Sequence, residues 1–369
     1  MSRPRVLFAG PTRYSLPLSP GLERKWSALE RELDYRILAR PVVATNCCKG
    51  SDPRFELVGS GFYSALPLRI RRSIHDFRPH AIVAEDLRTA ALVMSGRALV
   101  RGDRPRVIAE VHGNWRHSTR LYGSAARRLA SPLVDALDGH AVRHADAVRA
   151  LSAYTARLVE DARGSPPTAV FPTFSDLSVF TARPVRPLPE RPSALFVGVL
   201  ERYKNVEGLA AAWRQAAPHV PGARLTVVGS GSLAAVVHRL RADLPGCVDY
   251  VPELEPAQVA ERMDEATVLV LPSRFEGLGR VVIEAFARGR GVIVGSAGGV
   301  LDLVEDGRQG LLVDPEDVDG LAAALVRVLS DRALAGELGE RAHGSFPEWD
   351  QSAEQFAERM RALVDAALD

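Results

Sequence analysis

Cysteine is nearly absent: Cys47, Cys48 and Cys247 are the three thiols in 369 residues. Three thiols, two of them adjacent, cannot make a disulfide framework and are poorly spaced to grip zinc. A reducing, cytoplasmic environment is the expectation. No apolar run approaches the ~20 residues needed to cross a bilayer. Met1–Gly10 enters a short strand-like run at once and lacks the hydrophobic region of a signal peptide. Short-period repeats, low-complexity tracts, a nucleophile elbow and a Ser-His-Asp order are all missing. Gly229-Ser-Gly231 lacks the third glycine of a dinucleotide fingerprint and reads as a turn. Asp317 and Asp319 read as acids at a helix start, not as metal ligands. No aromatic–basic pattern suited to stacking bases occurs, which argues against a nucleic-acid partner.

What is present is ordinary in bulk. The chain is 46% apolar and 25% charged, and its length suits two domains that can each bury a core. The net charge of +2 conceals an asymmetry: residues 1–185 hold 28 basic against 17 acidic side chains, the remainder 19 against 28. A basic first half suits an anionic membrane surface, an acidic acceptor or nucleic acid, and equally an arginine-rich composition with no partner. Residues 62–75, from Phe62 to His75, are basic and apolar together. That pattern fits peripheral contact with anionic headgroups at the inner face of the membrane, or an ordinary soluble helix.

The first half alternates short buried-strand runs, Val6–Gly10, Tyr35–Ala39, Ala81–Ala84 and Val107–Val111, with helical patterns at Leu22–Leu33, Leu66–Phe77, Thr89–Val100 and Leu121–Arg143. Residues 183–192 carry four prolines, which neither a helix nor a central strand tolerates, and form the best linker. The second half repeats the alternation. Its strand runs are 194–198, 223–229, 248–251, 267–271 and 291–295; its helical runs are Val206–Ala217, Leu233–Ala242, Pro256–Glu265 and Val281–Ala287. Such alternation predicts parallel sheets covered on both faces, with ligand bound near the carboxyl ends of the strands. The expected division is residues 1–185, 186–345 and a terminal helix at 346–369.

The segment carrying most chemistry is Pro272-Ser-Arg-Phe-Glu276-Gly-Leu-Gly279-Arg-Val-Val-Ile-Glu284. It leaves a strand, turns through glycines and enters a helix, whose free N–H groups attract phosphate. Glu276 in the turn and Glu284 one turn into the helix can each accept hydrogen bonds from sugar hydroxyls. Two glutamates flanking a helix start are also common for structural reasons alone.

This segment resembles the Glu-x7-Glu signature of family-4 retaining glycosyltransferases. The resemblance implies that Glu284 holds the donor ribose and that Glu276 contacts the transferred sugar. The backbone of Gly277, Leu278 and Gly279 would meet the sugar or diphosphate. Phe196-Val-Gly198-Val-Leu-Glu-Arg202-Tyr-Lys204 is similar to the family's glycine- and lysine-bearing stretch after the first strand of the second domain. Lys204 takes the place of the diphosphate-binding lysine, and Val199 stands where the family has arginine. Arg202 is the candidate substitute for that arginine. His112-Gly113 resembles a pair whose histidine contacts the donor sugar. Gly10 occupies the position of a phosphate-lining glycine, followed by a proline-rich loop at residues 11–20. Residues 144–152 resemble the last strand of the first domain, and Phe346–Trp349 leads a helix that returns to it.

The fold so implied is GT-B: two facing Rossmann-like domains with an interdomain cleft. The implied reaction is transfer of a hexose-type sugar from a nucleoside-diphosphate sugar, by default UDP, to an acceptor hydroxyl with retention. A glycan, glycolipid or glycosylated metabolite would be the product, and no metal or other cofactor is required. A sugar-nucleotide epimerase and a catalytically degenerate nucleotide-binding scaffold are the competing readings.

Overall fold

A computed structural model of the chain describes residues 3–42, 52–115 and 131–369. Cys47, Cys48 and residues 121–130 of the expected 121–143 helix lie outside them. The chain divides into two compact units, Met1–Asp176 with Gln351–Asp369, and Leu177–Asp350.

The first unit is built on a parallel seven-stranded sheet: β1 (Arg5–Tyr14), β2 (Asp34–Pro41), β3 (Phe55–Leu57), β4 (Ala81–Ala84), β5 (Arg106–Val111), β6 (Ala147–Ala150) and β7 (Ala169–Val170), in the order 3-2-1-4-5-6-7. Its helices are α1 (Pro20–Glu32), α2 (Phe62–Phe77), α3 (Leu87–Ala98), α4 (Ser131–His144) and α5 (Ala153–Arg163). Successive strand side chains point to opposite faces. Leu7 and Ala9 therefore join Ile82, Val107 and Ile70 of α2 in one core, while Val6 and Phe8 join Val83, Ile108 and Trp26 of α1 in the other.

The second unit repeats the plan with six parallel strands: β8 (Ser193–Val197), β9 (Arg224–Val228), β10 (Val248–Val251), β11 (Val268–Leu271), β12 (Gly291–Gly295) and β13 (Gly310–Val313), in the order 10-9-8-11-12-13. Around them lie α6 (Ser178–Thr181), α7 (Val206–Ala216), α8 (Ala234–Asp243), α9 (Pro256–Asp264), α10 (Arg280–Ala287), α11 (Val318–Ser330) and α12 (Arg332–Ser345). The last helix, α13 (Ala353–Leu368), belongs to the first unit. Its Phe356, Met360, Leu363 and Val364 enter the Trp26 core, and Arg361 donates to the Glu32 carbonyl at 3.1 Å. No helix among the described residues is long and apolar enough to cross a membrane.

Several local expectations change. The proline-rich linker packs with the second unit, because two fully buried arginines anchor it. Arg288 pairs with Asp264 and donates to the carbonyls of Phe180, Arg183 and Pro184, while Arg290 donates to that of Arg186. Residues 11–14, expected as the start of a proline-rich loop, extend the strand. The register with β2 shifts between Ala9 and Arg13, and β4 ends at the level of Ala9, so Pro11 meets no ladder on that side. Residues 147–150 are not the last strand of their sheet, since β7 pairs beyond them. The strands β3, β7 and β13 are absent from the expected set; β3 and β7, at three and two residues, are too short to show a period.

Candidate active site

In both sheets the strand order reverses once, between β1 and β4 and between β8 and β11. Loops leaving the carboxyl ends of the strands diverge there and open a crevice. The sequence-predicted residues of the second unit fall on the loops after β8 and β11 or on α10, whereas in the first unit Gly10 lies within β1 and His112 just after β5.

In the second unit, the turn after β8 carries Gly198, Arg202 and Lys204, and the turn after β11 carries Glu276 and Gly277–Gly279. The Lys204 ammonium donates to Glu276 Oε1 at 2.5 Å, and both side chains are about nine-tenths buried, with 12% and 10% exposed. Gly198 lies beside the lysine stem, whose Cε would make an ordinary 3.5 Å contact with a Cβ placed there. The Tyr203 ring lies beneath Nζ at 5.2 Å. Arg274 ties the two turns together: its N–H donates to the Tyr203 carbonyl at 2.7 Å and its guanidinium to the Arg202 carbonyl at 2.8 Å. Asn205, at φ 55, caps α7 by accepting from Gly208 N–H, and its amide donates to the Pro315 carbonyl at 2.6 Å. A short polar side chain is what tolerates that left-handed backbone. From the far side, Gly299 N–H donates to the Glu276 carbonyl at 2.8 Å. Gly298, at φ +82, approaches so closely that a Cβ would stand 2.3 Å from that carbonyl oxygen.

Gly279, also left-handed at φ 88, starts α10. Glu284 on its second turn is 7% exposed and accepts from Arg280 Nε at 3.0 Å. Burial raises its pKa, and Arg280 opposes the shift. The Arg202 side chain is exposed and makes no hydrogen bond, while Val199, where a cation was expected, is 47% exposed.

His112 and Gly10 belong to the first unit. His112 Nε2 lies 3.1 Å from Glu110 Oε2 at the end of β5. Glu110 is buried, and so is its second partner, Arg149 of β6, at 3.3 Å. Burial alone would raise the Glu110 pKa, but Arg149 and the His112 hydrogen bond outweigh it and hold the group at about 2. Gly10 is a glycine because the Glu85 carboxylate occupies the space beside it: a Cβ there would stand 2.0 Å from Glu85 Oε2. Among the described residues no three His, Cys, Asp or Glu side chains converge as a metal site would require.

Comparisons with known proteins agree with this architecture. Residues 11–173 match the family described as "Glycosyl transferase 4-like domain", and residues 191–331 match "Glycosyl transferases group 1". The chain belongs to the GT-B glycosyltransferases. It is 29% identical over 299 residues to a GDP-mannose-dependent monoacylated alpha-(1-6)-phosphatidylinositol monomannoside mannosyltransferase of Corynebacterium glutamicum, covering 74% of this chain and 73% of the relative. It is 35% identical to a D-inositol 3-phosphate glycosyltransferase of Acidothermus cellulolyticus, over 43% of this chain and 38% of the relative's length. Sucrose-phosphate synthase of Thermosynechococcus elongatus shares the fold at a TM-score of 0.79 and 20% identity, covering 98% of each chain. HepE of Anabaena, solved in complex with UDP-glucose, gives a TM-score of 0.73 at 16% identity, covering 98% of this chain and all of the other.

Within this glycosyltransferase, sequence reasoning gave no role to several residues that hold the site. Arg274, Asn205 and Gly298–Gly299 clamp the two turns of the second unit. Lys25, Glu85, Glu110 and Arg149 gather at the strand ends of the first. Their sequence positions run from 25 to 149, so no local pattern links them.

Proposed function

We propose that this enzyme is a retaining transferase that moves a hexose-type sugar from a nucleoside-diphosphate sugar to an acceptor hydroxyl, with UDP the expected nucleotide. The observation that carries the reading is the Lys204–Glu276 pair, clamped at the β8/β11 crevice beside the N-terminus of α10. An ammonium has three donors. With one committed to Glu276, two remain for the oxygens of a leaving diphosphate, where a fixed cation lowers the barrier most. The second oxygen of Glu276 is left to accept from a hydroxyl of the transferred sugar. Glu284, buried and held by a single arginine, suits the ribose diol. In the front-face course that the family resemblance implies, the departing phosphate accepts the acceptor's proton, so no carboxylate nucleophile is needed. Lys204, the turn amides and the backbone at Gly10 are assigned to the phosphates, and His112 to the sugar.

The epimerase reading has no observation in its favour. A degenerate scaffold would rest on Val199, but the intact Lys204–Glu276 pair supports catalysis. Peripheral contact with an anionic membrane would be electrostatic. The apolar residues Phe62, Leu66, Ile70 and Ile74 of α2 face the core, leaving Arg69, Arg71, Arg72 and the 66%-exposed Leu68 outside.

The test is thermal stabilisation by UDP, GDP, ADP and dTDP and their sugar conjugates. Ligand at 100 times its Kd adds about 2.7 kcal/mol. A UDP-selective shift supports the proposal, and a GDP-selective one reassigns the donor class towards that of the Corynebacterium relative. No shift by any of them in folded protein overturns the donor site.

A further inference from the structure

The amino ends of the first unit's strands lie opposite the carboxyl ends that carry Glu110 and His112. The chain enters β1 at Arg5, β4 through Arg78-Pro79-His80 and β5 through Arg104-Pro105-Arg106. Pro79 and Pro105 are buried and stiffen the two later approaches. Between these segments and Arg101 lies a recess of about 650 Å³. Small-molecule sites commonly measure ~300–1,000 Å³.

Its charge is one-sided. Arg5, Arg78, Arg101, Arg104 and Arg106 line it against a single carboxylate, that of Asp103. Asp146 is already engaged, by Arg97 at 2.5 Å, the Val107 N–H at 2.7 Å and Arg106 at 3.4 Å. An arginine-rich chain scatters guanidiniums widely, but others in this unit meet carboxylates: Arg54 pairs with Asp52, and Arg69 with Glu56. The guanidiniums of Arg78 and Arg101 make no hydrogen bond or ion pair with any described residue. Backbone fixes two more. Arg5 Nε donates to the Arg78 carbonyl at 2.9 Å and Arg104 Nε to the Val100 carbonyl at 3.2 Å, which leaves both their terminal nitrogens. His80 lines the recess as well. Its Nδ1 accepts from the Arg5 N–H at 2.9 Å, so the neutral ring carries its proton on Nε2. Partial burial and then Arg5 lower its pKa, which favours that neutral, donating form.

Guanidiniums gathered without counter-charge repel one another, and walls of one sign focus the field on any anion that enters. The planar fork of arginine matches phosphoryl oxygens two at a time. Five forks around one recess exceed what a lone carboxylate or phosphate can use, whereas linked phosphoryl groups bring several charges into a small volume. A lipid surface is the poorer match. Peripheral membrane contact uses a protruding face with apolar side chains, and these cations surround a hollow.

We infer that the amino ends of β1, β4 and β5 form a binding site for a soluble oligophosphate. The inference is independent of the transferase reading. Bound there, the anion ties together the entries to three strands at the end of the sheet away from His112.

The test is titration calorimetry of the full chain with inorganic triphosphate. Arg78→Asn combined with Arg101→Ser removes two recess cations, and asparagine suits the left-handed backbone of position 78, at φ 49. Arg239→Gln with Arg241→Gln removes two exposed cations from α8 of the second unit, and Lys204→Ala reports on the donor crevice. Wild type, the α8 pair and Lys204→Ala should bind triphosphate alike, and the recess pair about tenfold more weakly. Should the recess pair lose its native circular dichroism, Arg101→Ser alone carries the comparison and should weaken binding about threefold. Absence of triphosphate binding by folded wild type overturns the inference. So does an equal loss in both arginine pairs, or a loss confined to Lys204→Ala. Vesicles of equal parts phosphatidylcholine and phosphatidylglycerol form the lipid arm. Retention of wild type but not of the recess pair on them, without triphosphate binding, assigns the cations to a membrane and likewise overturns the inference.

Discussion

The two units share a sheet plan but build their polar centres in opposite ways. The second unit relies on backbone: glycine turns, helix-start amides and carbonyl contacts hold Lys204 against Glu276, and the side chains that matter are few. The first unit relies on buried side-chain charge, with Arg149 and Glu110 placed on neighbouring strands inside the protein. Backbone-built sites concentrate their information in short segments, because a turn needs particular residues at adjacent positions. Charge-built sites distribute it over whatever strand ends meet. Their energetics differ as well: a clamped turn stores its cost in local conformation, whereas a buried ion pair becomes costly only when one partner is removed.

The largest expected effect separates these two modes. Arg149→Met leaves Glu110 buried without its cation and should destabilise the first unit by about 3–5 kcal/mol. Urea unfolding followed through Trp26 against Trp213 would show a loss confined to the first unit, and a loss in both would break the contrast. Lys204→Ala should instead lower turnover by roughly 10²–10³-fold with a much smaller change in nucleotide affinity, read from single-turnover kinetics once the donor is known. Gly298→Ala should cost about 1–3 kcal/mol, because its φ of +82 and the 2.3 Å approach to the Glu276 carbonyl admit no Cβ. Calorimetry of the second unit checks it. Glu284→Ala should weaken nucleoside-diphosphate binding about tenfold, close to the ~1.5 kcal/mol of a hydrogen bond to a charged group. Unchanged affinity by titration calorimetry would remove Glu284 from the ribose.

Acidification sharpens the same comparison, because the two buried glutamates respond with opposite sign. The folded pKa of Glu110, about 2, lies below its ordinary 4.5. Its stabilising contribution is complete above 4.5 and is lost as pH falls towards 2. The pKa of Glu284 is raised, so its protonation on acidification favours the folded state. The Glu85 pKa is raised too and partly offsets Glu110 within the first unit. Comparing the pH–stability curves of wild type and Arg149→Met between pH 5 and 2 isolates the Glu110 contribution. Parallel curves over that window would refute it.

Much of this was legible in the residues themselves. The alternation of short apolar runs with helical patterns implied two parallel sheets, because strands covered on both faces lose their polar alternation. The segment from Pro272 to Glu284 announced a turn entering a helix, since glycines and flanking carboxylates carry local conformation in their identity. Other features were hidden for equally physical reasons. Strands as short as Ala169–Val170 carry no measurable period. Residues 11–14 belong to a proline-rich run and were expected as loop; their position past the end of β4 is what permits a ladder with β2 there. The proline-rich linker is anchored by Arg288 and Arg290, which donate to its carbonyls from positions about a hundred residues away.

By itself, then, the sequence determined the layered α/β class, the order of elements and the donor-side motif, all of which are encoded in local runs of residues. Tertiary structure alone decided that Lys204 pairs with Glu276 across 72 positions and that Gly10 accommodates Glu85. It also decided that Arg149 meets Glu110 and that Lys25 joins their surroundings. Those facts depend on which strands lie side by side. Strand neighbourhood is set by the summed packing of two cores, and no local run of residues contains it.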